Sequence, residues 1–406
     1  MSRDLAHVRA QFPILTRRIG DAPLHYLDSA ATAQIPTPVL DAVRRFETTS
    51  RANVLRGVHR LAEEATAAYA AARDSVGRYL NVPADEVVFT SGTTAAINLV
   101  ARGFGDTLQP GDEVVISELD HHSNIVPWQM LRDRRGIVLK VLPATEEGRL
   151  DRDSIERVVT DRCRLIAVPH ASNVTGAVTA VEPIVSAAGA AGAKVLLDGA
   201  QRTPHGPLDL PALGVDFYAF SGHKMFAPHG IGVLWARRSL LESMPPVFGG
   251  GEMIRTVTLE RTVYAAPPHK FEAGTPPIAQ AIGLGAAVEW LMGLDWPAVS
   301  AQELRLTQRI LDGLPPRARV IGPTGLQERM PVVSFDIPGL HPHDICQLLD
   351  QRGVALRGGH HCAQPLMERF ALAGTTRASL AVYNSDDDVD ALHDGLDSAI
   401  RRLGRA

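Results

Sequence analysis

The chain has 406 residues, a length that favours one large domain with a smaller one over a single core. It is 45% hydrophobic and 21% charged, as is usual for a globular protein, and its formal net charge of −4 gives no electrostatic basis for binding nucleic acid or a membrane surface. We recognise no apolar segment typical of a signal peptide or a membrane span. Three cysteines favour a reducing compartment, so we expect a cytoplasmic location.

Strand-like and helix-like segments alternate through the first 290 residues. The apolar, β-branched runs are 86–90, 113–117, 165–169, 194–198 and 216–220, and helical stretches such as 93–101, 124–131 and 181–191 lie between them. Such alternation predicts an α/β fold with a mostly parallel sheet covered by helices on both faces. Ligands of such sheets gather at the carboxyl ends of the strands.

The pattern changes near residue 290. Helices are predicted at 297–311, at 344–352 and from residue 386, with a strand at 331–335. We therefore predict a large domain of residues 21–290. A smaller α/β domain would comprise residues 1–20 and 291–406.

A lysine follows the last strand-like run of the large domain, in the string Phe220-Ser221-Gly222-His223-Lys224. A buried lysine has a lowered pKa, and its free amine can form a Schiff base with a carbonyl. The alternative from these five residues alone is a surface lysine on a turn.

Two further strand ends carry polar groups. Ser91-Gly92-Thr93-Thr94 lies between a strand and a helix, where free backbone N–H groups suit a phosphate, although simple helix capping is the alternative. Asp198 ends the run 194–198, and its carboxylate would need a partner such as a protonated ring nitrogen, unless it caps the next segment. Asp198 and Lys224 can face one pocket from neighbouring strands.

A histidine pair, His121-His122, follows the strand-like run 113–117. An imidazole there can stack on a flat ring or move protons, and zinc binding is the alternative, for which we find no complete ligand set. A phosphate cradle, a carboxylate, a stacking base and a Schiff-base lysine together describe a site for pyridoxal 5′-phosphate (PLP).

The chain also resembles a known family over nearly its whole length. The segments that carry the resemblance are 26–32, 91–94, 120–128, 170–176, 198–201, 220–224, 271–276, 357–365 and 377–379. They are similar to those of SufS-type cysteine desulfurases in the class V aminotransferase superfamily. The most discriminating segment is Arg357-Gly358-Gly359-His360-His361-Cys362-Ala363-Gln364-Pro365, because it places a cysteine on a glycine-rich loop.

The resemblance implies the type I PLP-dependent transferase fold and a role for each site residue. Lys224 would bind the cofactor and carry the Cα proton, Asp198 would keep the ring nitrogen protonated, and His121 would stack on the ring and assist proton transfer. The other cofactor contacts would come from Gln201, Thr93, Thr94, Ser221, His223 and, in the neighbouring subunit of a homodimer, Thr275. Arg377, Asn173 and Arg357 would bind the substrate, and no metal is implied.

The resemblance further implies that Cys362, on a mobile loop of about residues 357–365, takes sulfur from L-cysteine and leaves L-alanine. The persulfide would pass to a SufE- or SufU-like acceptor for iron–sulfur cluster assembly. Arg357, His360 and His361 would make the surroundings of Cys362 electropositive and favour its thiolate. Cys163 and Cys346 are interpreted as inert.

Two departures from the usual family pattern are Arg202 and His229. The alternatives left open are selenocysteine lyase activity, another class V enzyme, and a non-catalytic binding protein of a sulfur pathway.

Overall fold

The computed structural model describes residues 5–404. Its strands are β1 Arg18–Ile19, β2 Ala22–Pro23, β3 His25–Tyr26, β4 Val87–Thr90, β5 Glu113–Ser117, β6 Val138–Leu142, β7 Cys163–Pro169, β8 Lys194–Asp198, β9 Phe217–Ser221, β10 Gly232–Ala236, β11 Ile254–Val257, β12 Thr262–Tyr264, β13 Arg319–Ile321, β14 Val332–Asp336, β15 Val354–Ala355, β16 Arg357–Gly359 and β17 Thr375–Ser379.

The α-helices connect and cover these strands. They are α1 Ala6–Arg9, α2 Thr37–Arg45, α3 Arg60–Leu80, α4 Thr93–Gly103, α5 Val126–Arg135, α6 Ile155–Val158, α7 Val181–Ala191, α8 Leu210–Leu213, α9 Arg238–Ser243, α10 Ile278–Met292, α11 Trp296–Asp312, α12 Pro342–Asp350, α13 Gln364–Arg369 and α14 Asp386–Leu403.

The large sheet has the strand order β4-β10-β9-β8-β7-β5-β6. Its pairs are parallel except those of β10, which runs antiparallel to both β4 and β9. Successive strand residues enter different cores: Val114 and Ile116 pack with α4 and α5, while Val115 belongs to the cluster that includes α3, α7 and α10. Helices therefore cover both faces, and the predicted α/β fold is confirmed.

A second, four-stranded antiparallel sheet has the order β13-β14-β17-β16. It packs on α11, α12 and α14 around a separate core that includes Phe335, Leu349 and Leu392. The N-terminal segment reaches this region, since the Arg9 guanidinium donates to the buried Asp388 carboxylate at 2.9 Å. The domain boundaries given above remain a prediction.

The helix predicted from residue 124 begins later in the structure. Residues His122–Asn124 form a 3₁₀ turn, and α5 starts at Val126. Pro127 explains the difference, because proline fits the first helical turn, where its missing N–H has no intrahelical acceptor. The turn leaves His121 in extended backbone just before it, with φ −65° and ψ 148°.

A buried ion pair joins α3 to the loop after residue 271. Arg73 donates two hydrogen bonds to Glu272, at 2.6 and 2.7 Å, and Glu272 also accepts from the backbone N–H of Phe89 in β4. Both side chains are less than a tenth exposed. Removing one partner would leave the other charge buried and uncompensated.

We therefore predict that Arg73→Met lowers the free energy of unfolding by about 3–5 kcal/mol. Urea unfolding followed by circular dichroism measures the change. Arg60→Met is the matched control, because Arg60 lies on the same helix in an exposed pair with Glu64 and its loss should leave the transition in place. Equal transitions for the two variants would contradict the structural role of the buried pair.

Candidate active site

A cavity of about 180 Å³ lies at the carboxyl ends of the parallel strands of the large sheet. It is lined by Ala30, Ala31, Thr93, Thr94, His121, Ser123, Pro169, Ala171, Asn173, Asp198, Ala200, Gln201, Ser221, His223, Lys224, Arg357, His361 and Arg377. The structure thus brings together every residue predicted for the site except Cys362 and Thr275. Cys362 is next in sequence to His361, which lines the cavity, and Thr275 is exposed and is not among the lining residues.

Asp198 and Lys224 enter the cavity from neighbouring strands. β8 and β9 pair in parallel, with Asp198 opposite Ala219, and Lys224 follows the end of β9 in a 3₁₀ turn. Burial raises the pKa of Asp198 and lowers the pKa of Lys224 from its ordinary value of 10.5 to about 8, and their mutual attraction opposes both shifts. The amine is therefore partly free near neutral pH, as a Schiff-base lysine requires.

An anion cradle lies at the N-terminus of α4. Gly92 caps this helix with φ +151°, a conformation open to glycine, and a Cβ there would lie 3.3 Å from Ser221 Oγ. Ser221 Oγ accepts from the Thr93 backbone N–H at 2.8 Å. The first N–H groups of a helix have no intrahelical acceptors, so the cradle suits a phosphate.

His121 is held as a neutral ring. Burial and, to a smaller extent, the nearby Lys224 lower the pKa of His121 to about 3. Its Nδ1 accepts a hydrogen bond from the Ser123 backbone N–H at 3.1 Å. Its Nε2 therefore carries the proton. Asp120, fully buried, fixes the preceding turn by accepting from the Ser117 backbone N–H and from Asn124.

His223 lies beside His229, one of the two residues that depart from the usual family pattern. Its Nδ1 lies 3.2 Å from Thr32 Oγ1, and the two imidazoles stack with centroids 5.3 Å apart. Burial lowers the pKa of His223 to about 4, and Lys224 and His229 contribute further to the lowering. On the other side of the cavity, Gln201 donates to the Ala30 carbonyl at 2.9 Å.

Arg377 is the buried cation of the cavity, and it projects from β17 of the small sheet. It donates to the Asp28 carboxylate at 3.0 Å and to the Asn173 carbonyl at 2.9 Å. Among residues 5–404, none accepts from its Nε. Arg357, which pairs with Arg377 in register, lines the same wall. Two guanidinium groups there suit a small carboxylate.

The Cys362 loop is docked on the large sheet by three hydrogen bonds. The His122 backbone N–H donates to the Cys362 carbonyl at 2.7 Å, Asn173 donates to the His361 carbonyl at 2.7 Å, and the Gln364 N–H donates to His122 Nε2 at 3.1 Å. His361 and Cys362 have φ values of +52° and +55°. Such backbone is uncommon outside glycine and persists where surrounding contacts hold it.

The expectation that His361 adds positive charge near Cys362 is wrong. Burial and the two nearby guanidinium groups of Arg377 and Arg357 lower the pKa of His361 to about 2, so its ring is neutral. Arg357 remains as a cation of this wall. Burial raises the pKa of the Cys163 thiol to about 11 and that of Cys346 to about 12, in keeping with inert side chains.

The sequence pointed to no role for Asp28, Asp120 or Ser123, and for His361 it pointed only to positive charge near Cys362. Asp28 lies within a family-like segment, but its contact with Arg377 joins residues 349 positions apart. The signal for Ser123 was the Asp120–Asn124 string, in which polar side chains crowd a turn at a strand end.

The cavity fits PLP. The α4 cradle offers donors to a phosphate, Asp198 is a buried carboxylate that a cationic ring nitrogen would compensate, and Lys224 lines the same cavity. Fold and side chains together define a PLP-dependent enzyme of the type I fold. Among residues 5–404, no group of three or more His, Cys, Asp or Glu side chains is arranged to hold a metal ion, and no helix there has the length and apolarity to cross a membrane.

The chain belongs to the aminotransferase class-V family, whose sequence pattern matches residues 25–392. It is 48% identical over 403 residues to a probable cysteine desulfurase of Streptomyces coelicolor, covering 97% of this chain and 96% of the relative. A cysteine desulfurase of Dickeya dadantii is 48% identical over 402 residues, covering 98% and 97%. The crystal structure of the cysteine desulfurase CsdA from Escherichia coli has a TM-score of 0.91 at 40% identity, covering 98% of this chain and 99% of that one.

The lowered pKa of Lys224 predicts the pH dependence of its reactivity in the cofactor-free protein. Below pH 8 the ammonium form dominates and cannot attack a carbonyl; above pH 8 the free amine dominates. Reductive methylation of the Lys224 peptide, followed by mass spectrometry from pH 6 to 11, should have its midpoint at about 8. Asp198→Asn should move the midpoint lower, since Asp198 raises this pKa. A midpoint near 10.5 in the unaltered chain would contradict the buried site.

Proposed function

We propose that this protein is a cysteine desulfurase, which converts L-cysteine to L-alanine and retains the sulfur as a persulfide on Cys362. The observation that carries the proposal is the docking of the Cys362 loop beside a cavity that combines Lys224, Asp198 and Arg377. The full-length similarity to relatives named cysteine desulfurase supports it.

The residues divide the work between binding and proton transfer. The α4 cradle with Thr93, Thr94, Ser221 and His223 would hold the phosphate of PLP, and Asp198, Gln201 and His121 would hold its ring. When bound, PLP supplies an electron sink that stabilises negative charge at the substrate Cα. Arg377 would bind the substrate carboxylate in place of Asp28, and Asn173 positions Arg377 through its carbonyl. Lys224 Nζ would take the Cα proton once its amine is free.

Sulfur transfer would occur at Cys362 Sγ. The thiolate attacks the substrate sulfur, a new S–S bond forms, and the substrate Cβ–S bond breaks with its electron pair on carbon. That carbon is then protonated, which yields the methyl group of alanine. Gly358 and Gly359 lie in the loop just before Cys362 and would let it leave the cavity mouth.

We further propose that the enzyme is of the SufS type and passes its sulfur to a SufE- or SufU-like acceptor for iron–sulfur cluster assembly. Cys362 is half-buried rather than enclosed, and the loop contacts the large sheet through hydrogen bonds that can be broken. The three cysteines are unpaired, which supports a cytoplasmic location.

We also propose a homodimer in which Thr275 completes the phosphate site of the partner. Thr275 is exposed and lies outside the cavity of its own chain. Exposed apolar side chains, such as Phe248, Val257 and Tyr264, occur in the nearby segments of sequence and would be covered by a second copy.

A mixed-dimer experiment tests this sharing. Thr275→Val should weaken PLP binding, and Lys224→Ala should abolish turnover. Co-refolding the two inactive or impaired variants should restore sites with both Lys224 and the partner's Thr275, up to about a quarter of the unaltered activity by random pairing of subunits. If the mixture shows no more than the sum of its components, the sharing of Thr275 is wrong.

The persulfide step predicts the behaviour of Cys362→Ser. With a reductant and L-cysteine, this variant should release sulfide at least 100-fold more slowly than the unaltered enzyme, because the nucleophile is lost. Cys346→Ser is the control and should retain its rate. Sulfide release by Cys362→Ser at the unaltered rate would contradict the mechanism, and full activity on selenocysteine alone would indicate a selenocysteine lyase.

The visible absorbance of the purified protein tests whether it is a PLP-dependent enzyme. The purified holoenzyme should show a visible absorbance band that borohydride abolishes, and Lys224→Ala should lack this Schiff-base band. A colourless protein that PLP cannot reconstitute would point to the non-catalytic binding protein.

A further inference from the structure

His361 has a ring atom that the mechanism above does not use. The residue lines the cavity and is only 4% exposed. Its Nε2 lies 3.1 Å from the Thr375 carbonyl oxygen and 2.9 Å from Thr375 Oγ1. Its Nδ1 is buried, and no atom of residues 5–404 forms a hydrogen bond with it. Buried polar groups are rarely left without a partner, so the exception calls for an explanation.

The contacts of Nε2 determine the tautomer of the ring. A backbone carbonyl can only accept, so the 3.1 Å contact requires the proton on Nε2. The neutral imidazole then presents Nδ1 as an acceptor with a lone pair. The neutral state agrees with the lowered pKa of His361, which burial and the guanidinium groups of Arg377 and Arg357 cause.

The ring lies beside the carboxylate-binding end of the cavity. Thr375, which holds the ring, and Arg377 are two positions apart on β17 and therefore project from the same face of the strand. Asn173 contacts both parts, since its side chain holds the His361 carbonyl and its own carbonyl accepts from Arg377. A substrate bound at Arg377 would therefore lie next to His361.

Of the polar groups on a bound L-cysteine, one is left that can donate a hydrogen bond to His361 Nδ1. The substrate amine would be used in bonding to the cofactor, and the carboxylate is itself an acceptor that would pair with Arg377. The remaining polar hydrogen is that of the thiol, a weak but competent donor.

We propose that His361 is a specificity residue whose Nδ1 accepts a hydrogen bond from the side-chain S–H of the bound amino acid. This inference rests on the proposed function and deepens it, because it explains how the cavity distinguishes cysteine from its product alanine. The contact orients the sulfur for attack by Cys362 and transfers no proton.

Two substitutions distinguish the roles of Nδ1 and Nε2 of His361. In His361→Asn the amide replaces the Nδ1 side of the ring, so it can still accept from the substrate but cannot reach Thr375. In His361→Gln the longer side chain can reach Thr375 but places no acceptor at Nδ1. If Nδ1 binds the substrate, His361→Gln should impair amino-acid binding and His361→Asn should not. If the ring only holds Thr375, the reverse is expected.

The measurement is the equilibrium binding of L-serine and L-alanine to the holoenzyme, followed by the change in visible absorbance. L-serine offers a side-chain O–H donor without a transferable sulfur, and L-alanine offers none. We expect His361→Gln to reduce the preference for L-serine over L-alanine about three- to tenfold, with L-alanine affinity unchanged, and His361→Asn to keep most of that preference. The KM for L-cysteine should rise in the Gln variant by a similar factor.

Three results would overturn the inference. The first is an unchanged ratio of L-serine affinity to L-alanine affinity in His361→Gln, and the second is an equal loss of affinity for both amino acids in that variant. The third is a change in the alkylation rate of Cys362 in His361→Gln without any amino acid, because Cys362 would then be the hydrogen-bond donor to Nδ1. Persulfide formation by the unaltered enzyme is measured in the same preparation. Its absence would refute the proposed function, whereas a changed or unchanged binding ratio bears on His361 alone.

Discussion

The burial of a carboxylate and an amine at the ends of two adjacent parallel strands is the constraint on which the rest of the site depends. Asp198 and Lys224 can share a cavity because β8 and β9 pair directly. Burial shifts the pKa of each group toward its neutral form, while their attraction opposes the shift. A cationic ring nitrogen next to Asp198 would compensate the carboxylate and leave the amine available for chemistry.

The same edge of the large sheet also holds the small sheet in place. Arg377 of β17 reaches Asp28 and the Asn173 carbonyl, and the Asn173 side chain holds the loop that carries Cys362. Arg377 and the loop that carries Cys362, for which we propose carboxylate binding and sulfur transfer, are therefore both held by one asparagine in the loop after β7. His122 adds a second attachment, which joins the loop to the turn next to the stacking candidate His121. Asn173 thus links Arg377 physically to the docking of the loop.

Much of this could be predicted from the chain. Strand-like runs and their polar ends located Asp198, Lys224 and the α4 cradle, because parallel strands present their carboxyl ends at one edge. The start of α5 was predicted two residues early, because the preference of proline for the first helical turn was not applied to Pro127. The antiparallel direction of β10 and the Asp28–Arg377 pair depend on contacts between distant residues, which periodicity does not reveal. The neutral state of His361 follows first from burial and then from the nearby guanidinium groups of Arg377 and Arg357, and burial at that depth is a tertiary property.

In the proposed function, one cavity activates the substrate and one cysteine removes its sulfur. The most direct test is the mass of the intact holoenzyme, and of its Cys362 peptide, after brief incubation with L-cysteine and without reductant. The account predicts a gain of one sulfur atom on the peptide that contains Cys362, and no gain in Lys224→Ala. A gain on the Cys163 or Cys346 peptide instead, or an equal gain in Lys224→Ala, would contradict it.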